Sequence, residues 1–370
     1  MKLEKIKLNN YRNCSDLELV FDKNKTLIIG KNAQGKTNIL ESIYFLSALK
    51  SPRTTSNTDL IQFSADKFSI NSQIFKNNTQ TELFYQYNCD KKRELKINGV
   101  KSAIKDFKNV IKCVLFSSSD LLLLRGAPQD RRDWLDRAIS QIYPAYDDRL
   151  SKYEKIRIQK NNYFKQCAKT GKYDDTLLGI LNEQLSVTGS NIIYIRKKYI
   201  KEIEKIAKNK HLTISETENL SIKYDCSFID DDAIEDINDI QTVFKASLDA
   251  RKDEEIKRCQ ACVGPHRDDI IFSINGLDGT KFASQGQQRT IVLALKLSEL
   301  DLITEKIGDE PILLLDDVLA ELDDIRQNYL LKSISDDTQT IITSVDTILF
   351  EDEFLKDVQI YKIENGSVLS

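Results

Sequence analysis

"LIIGKNAQGKTNILES", residues 27–42, joins a short apolar run to a helix-like pattern. The eight residues between them, Gly30, Lys31, Asn32, Ala33, Gln34, Gly35, Lys36 and Thr37, satisfy G-x-x-x-x-G-K-[ST] at every fixed position. Such a loop grips phosphates only between a strand and a helix, because its backbone N–H groups wrap the anion and the helix N-terminus adds a partial positive charge. Lys25–Ile29 reads as the strand and Thr37–Leu49 as the helix. In that setting Lys36 is expected to reach the β- and γ-phosphates of ATP, and Thr37 to hold Mg2+.

A phosphate loop needs a second magnesium anchor at the end of a neighbouring strand. "PILLLDD", residues 311–317, supplies an apolar strand ending in two carboxylates. Asp316 is the expected metal ligand, since a buried strand holds its terminal carboxylate rigidly at the sheet edge. Asp317 points differently and is the candidate catalytic residue, orienting or deprotonating the attacking water.

Working outward, the first third reads as short strands separated by Asn, Asp and Gly: 2–8, 16–21 and 25–29, then 68–75, 82–87 and 93–97 after one helix. From Pro128 to about Lys210 the periodicity is helical, with a break at 169–175 that predicts two arms folding back on each other. A strand at 221–224, an acidic loop at 230–236 and a helix over 240–260 lead to another strand after Gly264. Strands and helices then alternate to the end, which implies a largely parallel sheet. The phosphate loop lies early and the carboxylates late, so one α/β ATPase domain is expected from both ends of the chain. The expected division is 1–125 and 221–370 for that domain, with a helical arm inserted at 126–220.

Across 370 residues, 54 Lys and Arg face 57 Asp and Glu, a net charge of −3 that does not by itself announce nucleic acid. Residues 126–210 nevertheless hold 18 basic against 11 acidic side chains. A nucleic-acid surface and a solvated pair of helices both fit that excess. Seven cysteines at irregular spacings, with no apolar leader in the first ten residues, predict a reduced, cytoplasmic protein. No apolar run approaches the roughly 20 residues that span a bilayer.

"SQGQ", Ser284 to Gln287, stands 32 residues before Asp316 and opens a helix whose free N–H groups suit a phosphate. A Ser followed by Gly-Gln ahead of the acidic strand resembles the signature motif of ABC-type ATPases, and Ala320–Asp323 (AELD) resembles their D-loop. In that class Ser284 and Gln287 would contact the γ-phosphate held by a second subunit, making the working unit an ATP-dependent homodimer. From Lys36 to Ser284 is 248 residues with a helical insertion between, a layout similar to SMC-type ATPases with the coiled coil cut short.

More specific strings match within that group: "NNYRN" (residues 9–13), "DLLLLRGAPQDRRDWLD" (120–136), "GPHRDD" (264–269), "SQGQQRT" (284–290) and "LLLDDVLAELD" (313–323). From end to end the chain is identified as a member of the RecF family. The resemblance implies a DNA-binding clamp that dimerises on ATP, hydrolyses it slowly with stimulation by DNA, and works with RecO and RecR. Its role would be to load recombinase at single-strand gaps and single-strand/double-strand junctions, without a membrane partner. Phe116-Ser117-Ser118-Ser119-Asp120-Leu121 departs from the family's usual F-S-P-E-D-L, and Pro52 stands before Arg53 where His is common. Asp317 replaces the Glu of most ABC ATPases, as the family does, and its shorter side chain suits a slow switch.

Two other functions fit the sequence less well. A transport-type ABC engine is disfavoured by the central insertion and by the absence of a histidine after the acidic strand. A SMC-like nuclease would need a metal-binding domain, and only 53 residues follow Asp317. Cys259 and Cys262 with His266 fit packing better than zinc, because no second pair completes four ligands. Arg12 and Arg53 resemble arginines that touch nucleotide or DNA in SMC-like heads, and equally fit plain surface charges. Tyr153, Tyr163, Phe164 and Tyr199 are expected to pack helices rather than stack on bases.

Overall fold

The computed structural model describes residues 1–229 and 234–369, so residues 230–233 of the acidic loop lie outside it. The chain forms two compact units, residues 1–121 with 289–370, and residues 122–288.

The first unit opens with the hairpin β1 (Lys2–Tyr11) and β2 (Cys14–Val20). β3 (Lys25–Ile29) then runs through the phosphate loop into α1 (Lys36–Ala48). β4 (Lys67–Lys76), β5 (Thr79–Asn88), β6 (Arg93–Ile97) and β7 (Val100–Lys101) follow, and then α2 (Ile104–Val110) and β8 (Cys113–Ser117). The second unit contains α3 (Leu122–Arg125), α4 (Pro128–Ile142), α5 (Tyr146–Thr170) and α6 (Asp175–Ser215). It continues with β9 (Leu220–Asp225), α7 (Ile237–Ala250), α8 (Lys252–Arg258), β10 (Asp269–Ile274), β11 (Leu277–Asp278) and α9 (Gly279–Phe282). α10 (Gln285–Ile307) carries the chain back to the first unit, which ends with β12 (Ile312–Asp316), α11 (Asp324–Ser333), β13 (Thr340–Ser344), α12 (Asp352–Lys356), β14 (Val358–Glu364) and β15 (Ser367–Val368).

Two six-stranded sheets build the first unit, in the orders β2-β1-β4-β5-β6-β7 and β15-β14-β3-β13-β12-β8. The first is antiparallel. In the second, β14, β3, β13, β12 and β8 are parallel. All five residues of β13 and the first four of β12 are buried, which is why both read as unbroken apolar runs rather than alternating ones. α1 is buried over most of its circumference, its polar Glu41, Ser42 and Ser47 included, because strands pack on more than one side of it. Ile39, Leu40, Ile43 and Phe45 of α1 share one core with Ile6 and Phe68 of the antiparallel sheet and Ile28, Leu314 and Ile341 of the parallel one. The phosphate loop is thereby anchored at the centre of the unit.

The structure draws the division of the chain differently from the sequence. The boundary read at 220 falls inside the second unit, because β9 pairs with β10, Ile222 opposite Phe272 and Leu220 opposite Ile274. That small sheet has one apolar face, and helices cover it: Phe272 meets Trp134 of α4, which meets Tyr199 of α6. The single helix expected over 240–260 breaks at Arg251, and its second piece brings Glu255 to Lys160 of α5 at 2.5 Å with both side chains buried. The arm's helices α5 and α6 do fold back on each other around the break after Thr170. Tyr153, Phe164 and Tyr199 are buried there, and the Tyr163 hydroxyl bonds the backbone of Asp174.

Candidate nucleotide site

The phosphate loop lies between β3 and α1, with Ala33 (φ 65°) and Gly35 (φ 109°) in left-handed conformations that curl its N–H groups inward. Gly30 and Gly35 are required for closeness as well. A Cβ on Gly30 would strike the carbonyl of Ile363, and one on Gly35 would come within 2.8 Å of the Asn13 side chain. Lys31, Asn32 and Ala33 are exposed, whereas Lys36 is 4% exposed. Its ammonium donates to the Gly30 carbonyl at 2.7 Å and lies 4.0 Å from the Asp317 carboxylate.

Parallel pairing brings the end of β12 to this loop, with Asp316 opposite Thr343 of β13 and Ser117 of β8. Asp316 accepts hydrogen bonds from the Thr37 and Thr343 hydroxyls, both at 2.9 Å. Burial pushes its carboxyl above the ordinary range, while those two bonds pull the other way. Asp317 turns away at φ 53°, its N–H donating to the Thr343 hydroxyl at 2.9 Å. Lys36, Thr37, Asp316 and Asp317, predicted from two segments 279 residues apart, therefore meet.

Two features are not read from the sequence, the turn that grips Gln34 and the carboxylate that holds Arg12 and Arg53. The turn between β14 and β15 holds Asn365 (φ 48°) and Gly366 (φ 75°), as a tight hairpin requires. Gly366 donates to the Gln34 carbonyl at 2.8 Å, and the Asn365 N–H to the Gln34 side chain at 2.7 Å. The Asn13 amide reaches the same carbonyl at 3.2 Å, so two hairpin turns brace the loop at Gln34. The sequence signal was a commonplace Asn-Gly pair. The second feature centres on Glu41, 1% exposed on α1, which accepts both prongs of the Arg12 guanidinium at 2.8 and 2.9 Å. Arg53 stands 3.5 Å from the same carboxylate and bonds Asn38 at 2.8 Å. Both arginines are thus fastened to the helix that begins at the phosphate loop.

Ser284 and Gln287 belong to the second unit. They cap α10 reciprocally, the Ser284 N–H donating to the Gln287 side chain at 2.8 Å and the Gln287 N–H to the Ser284 hydroxyl at 3.2 Å. The Gln287 amide also donates to Glu218 at 2.8 Å. In the first unit, Asp323 caps α11 and pairs with Arg326, which bonds Thr290 at 2.8 Å. The divergent 116–121 loop is held by Asp120, which caps the Ser117 N–H at 2.7 Å and pairs with Lys296 at 2.9 Å. His266 has both ring nitrogens engaged, by the Tyr153 hydroxyl at 2.7 Å and the Ala261 carbonyl at 3.1 Å. Among the described residues no cluster of three His, Cys, Asp or Glu is placed to hold a metal.

A phosphate loop whose threonine bonds a strand-end carboxylate, in a parallel sheet split by an inserted arm, defines a P-loop ATPase head of the ABC/SMC type. The RecF/RecN/SMC N-terminal domain family matches residues 2–368. The chain is 37% identical over 372 residues to the DNA replication and repair protein RecF of Bacillus subtilis, and 38% identical over 372 residues to that of Bacillus pumilus, covering 100% of each chain. A solved structure of the recombination mediator protein RecF with ATP in the RecFOR pathway superposes with a TM-score of 0.92 at 33% identity, covering 99% of this chain and 96% of that one. An Smc head bound to the C-terminal winged-helix domain of ScpA shares the fold at a TM-score of 0.56 and 13% identity, covering 100% of this chain and 96% of that one. The chain belongs to the RecF family of DNA replication and repair proteins. Among the described residues no helix is long and apolar enough to cross a membrane.

Proposed function

We propose that this protein is an ATP-dependent DNA-binding clamp of recombinational repair and replication restart, in which bound ATP closes a homodimer and slow hydrolysis reopens it. The observation that carries the nucleotide reading is the 2.9 Å bond between Thr37 and Asp316, which joins the two halves of the motif set. A hydroxyl and a carboxylate are hard oxygen donors suited to Mg2+, so Thr37 and Asp316 are the residues that would hold it. When bound, Mg2+ neutralises charge on the β- and γ-phosphate oxygens. Lys36 binds the same phosphates, Asp317 positions water for attack, and the braced Gln34 keeps the loop in shape before nucleotide arrives.

The dimer reading rests on Ser284 and Gln287 at the start of the 23-residue helix α10, where free N–H groups suit a γ-phosphate presented by a second copy. Ile325, 72% exposed next to Asp324 at the start of α11, offers apolar surface beside the D-loop-like turn. DNA binding is supported by one face of α6. Lys197, Lys198, Lys201, Lys205 and Lys208 recur there at helical spacing, and the first three, with Tyr194 and Lys223 of β9, line a groove of roughly 430 Å³. Lys201 pairs with Glu235 at 2.8 Å, while Lys198, Lys205 and Lys208 have no ion-pair partner among the described residues. The solved relative with ATP is a recombination mediator of the RecFOR pathway, and partnership of this chain with RecO and RecR at gapped or junction DNA is proposed on the same family ground.

The test is sedimentation with a non-hydrolysable ATP analogue, with and without duplex DNA. Wild type should dimerise and grip DNA. Ser284→Arg should bind the nucleotide as a monomer and lose the grip. A variant that dimerises and binds DNA like wild type would overturn the clamp mechanism.

A further inference from the structure

The two most specific strings of the sequence, 120–136 and 264–269, do nothing in the nucleotide chemistry above, yet the second unit brings them together. Arg131 of α4 is forked onto Asp269 of β10 at 2.6 and 2.7 Å, fixing one string against the other. Arg132, next to Arg131, and His266 and Arg267, in the same string as Asp269, then line a polar cavity of about 470 Å³. That size falls within the range of small-molecule sites.

Charge in this cavity is unevenly settled. Arg196 is tied to Asp136 at 2.9 Å and Arg157 to Glu154 at 2.7 Å, which neutralises four of the lining groups in pairs. Gln129 donates to Asp133 at 2.6 Å without neutralising it, so that carboxylate is set against the two guanidinium groups that remain. Arg132 and Arg267 are left without a carboxylate partner among the described residues. Arg132 donates to the Asp268 carbonyl at 2.6 Å and to Gln129 at 2.9 Å, while its buried Nε has no hydrogen-bond partner. Arg267 is exposed at the rim and donates only to the Ala261 carbonyl, at 3.3 Å. An unsatisfied buried donor on a charged group is costly. Two guanidinium groups at one cavity are the arrangement that recognises tetrahedral oxyanions by paired N–H···O bonds.

We propose that this cavity is a phosphoryl-binding site, separate from the phosphate loop and centred on Arg132 and Arg267. An acidic peptide would present carboxylates, but peptide anchors favour apolar or aromatic pockets, and this lining is mostly polar. The phosphoryl group can belong to a DNA strand or to a small anion, and both sources have the chemistry the two guanidinium groups read.

The probe is pyrophosphate, titrated by calorimetry into full-length Lys36→Ala protein so that the phosphate loop does not compete. Saturable binding is expected, weakened at least about fivefold by Arg267→Ala, whose rim position leaves the melting temperature unchanged. Arg132→Lys, which keeps the charge and loses the fork, should weaken it similarly. Duplexes with and without a 5′-phosphate, measured in the Arg267→Ala and Arg267 forms, separate the sources. A 5′-phosphate effect that disappears in Arg267→Ala assigns the site to a strand end. An equal loss for both duplexes assigns it to the backbone, and no loss for either assigns it to a small anion. Pyrophosphate binding unchanged by both arginine substitutions, or displaced as well by poly-glutamate as by phosphate, would overturn the proposal. ATP-induced dimerisation on an intact Lys36 background should survive Arg267→Ala, so failure here leaves the clamp reading standing.

Discussion

Replacing Arg12 with Ala tests whether that arginine is a brace or a ligand contact. The side chain is 20% exposed and Glu41, its partner, 1%. Removing one member of a fully buried pair costs about 3–5 kcal/mol, because the other charge is left without compensation. Glu41 would keep the Ser51 hydroxyl at 2.5 Å and Arg53 at 3.5 Å, so the loss should be the lower part of that range or less. We expect about 2–3 kcal/mol. For a unit of roughly 200 residues this lowers the melting temperature by about 4–12 °C, followed by far-ultraviolet circular dichroism in the absence of nucleotide. Arg12→Lys should recover less than half, since an ammonium cannot make the two-pronged bond. Stability within about 0.5 kcal/mol of wild type, accompanied by a large loss of ATP or DNA affinity, would refute the brace and make Arg12 a ligand contact.

Asp317→Asn should bind and retain ATP while single-turnover hydrolysis falls about 10²-fold or more; wild-type turnover would remove Asp317 from the chemistry. Asp317→Glu should cost roughly 1–2 kcal/mol in a urea titration, because φ is 53° there and longer side chains tolerate that region less well than Asp or Asn. Reversing Lys198 and Lys205 to Glu should weaken duplex binding and flatten the logarithmic salt dependence by about 2 for two lost phosphate contacts, while an unchanged slope would place DNA elsewhere. Burial, with Arg157, Arg267 and Arg132 nearby, lowers the His266 pKa from 6.5 to about 3, against the pull of the Ala261 carbonyl. The unfolded chain takes up that proton below 6.5 and the folded one does not, so stability falls as the pH drops through this window. Between pH 6.5 and 4.5 wild type should lose about 2.3 kcal/mol more than His266→Gln, read by fluorescence of Trp134, the chain's single tryptophan, in the same unit. Parallel pH profiles for the two proteins would refute it.

The nucleotide site was legible because its chemistry is written in contiguous strings whose local setting, strand then loop then helix, is itself visible in periodicity. β3 and β6 match their expected limits residue for residue. β8 was not expected, although Cys113–Ser117 completes the parallel sheet beside β12. It is a five-residue apolar run of the kind that burial on a sheet makes ambiguous without its neighbours. Glu41 looked like an ordinary helical carboxylate, since nothing local to it announces two arginines that arrive from a hairpin turn and a loop. The grouping of β9 and β10 with the arm's helices is not legible locally, because a strand's own residues show its type and not its pairing partner. What covers a small sheet's apolar face is decided by Trp134 and Tyr199, far away in the chain.

The position of β3, flanked by β13 on one side and β14 on the other, has a consequence for how the protein is made. The phosphate loop is synthesised well before both strands that flank its own strand and before the turn that grips Gln34. At about 5–20 residues per second, synthesis leaves the loop without these neighbours for on the order of tens of seconds. A copy cut before Asn365 lacks the turn that braces the loop at Gln34. The loop's shape is therefore set by contacts that local folding of residues 25–48 cannot supply.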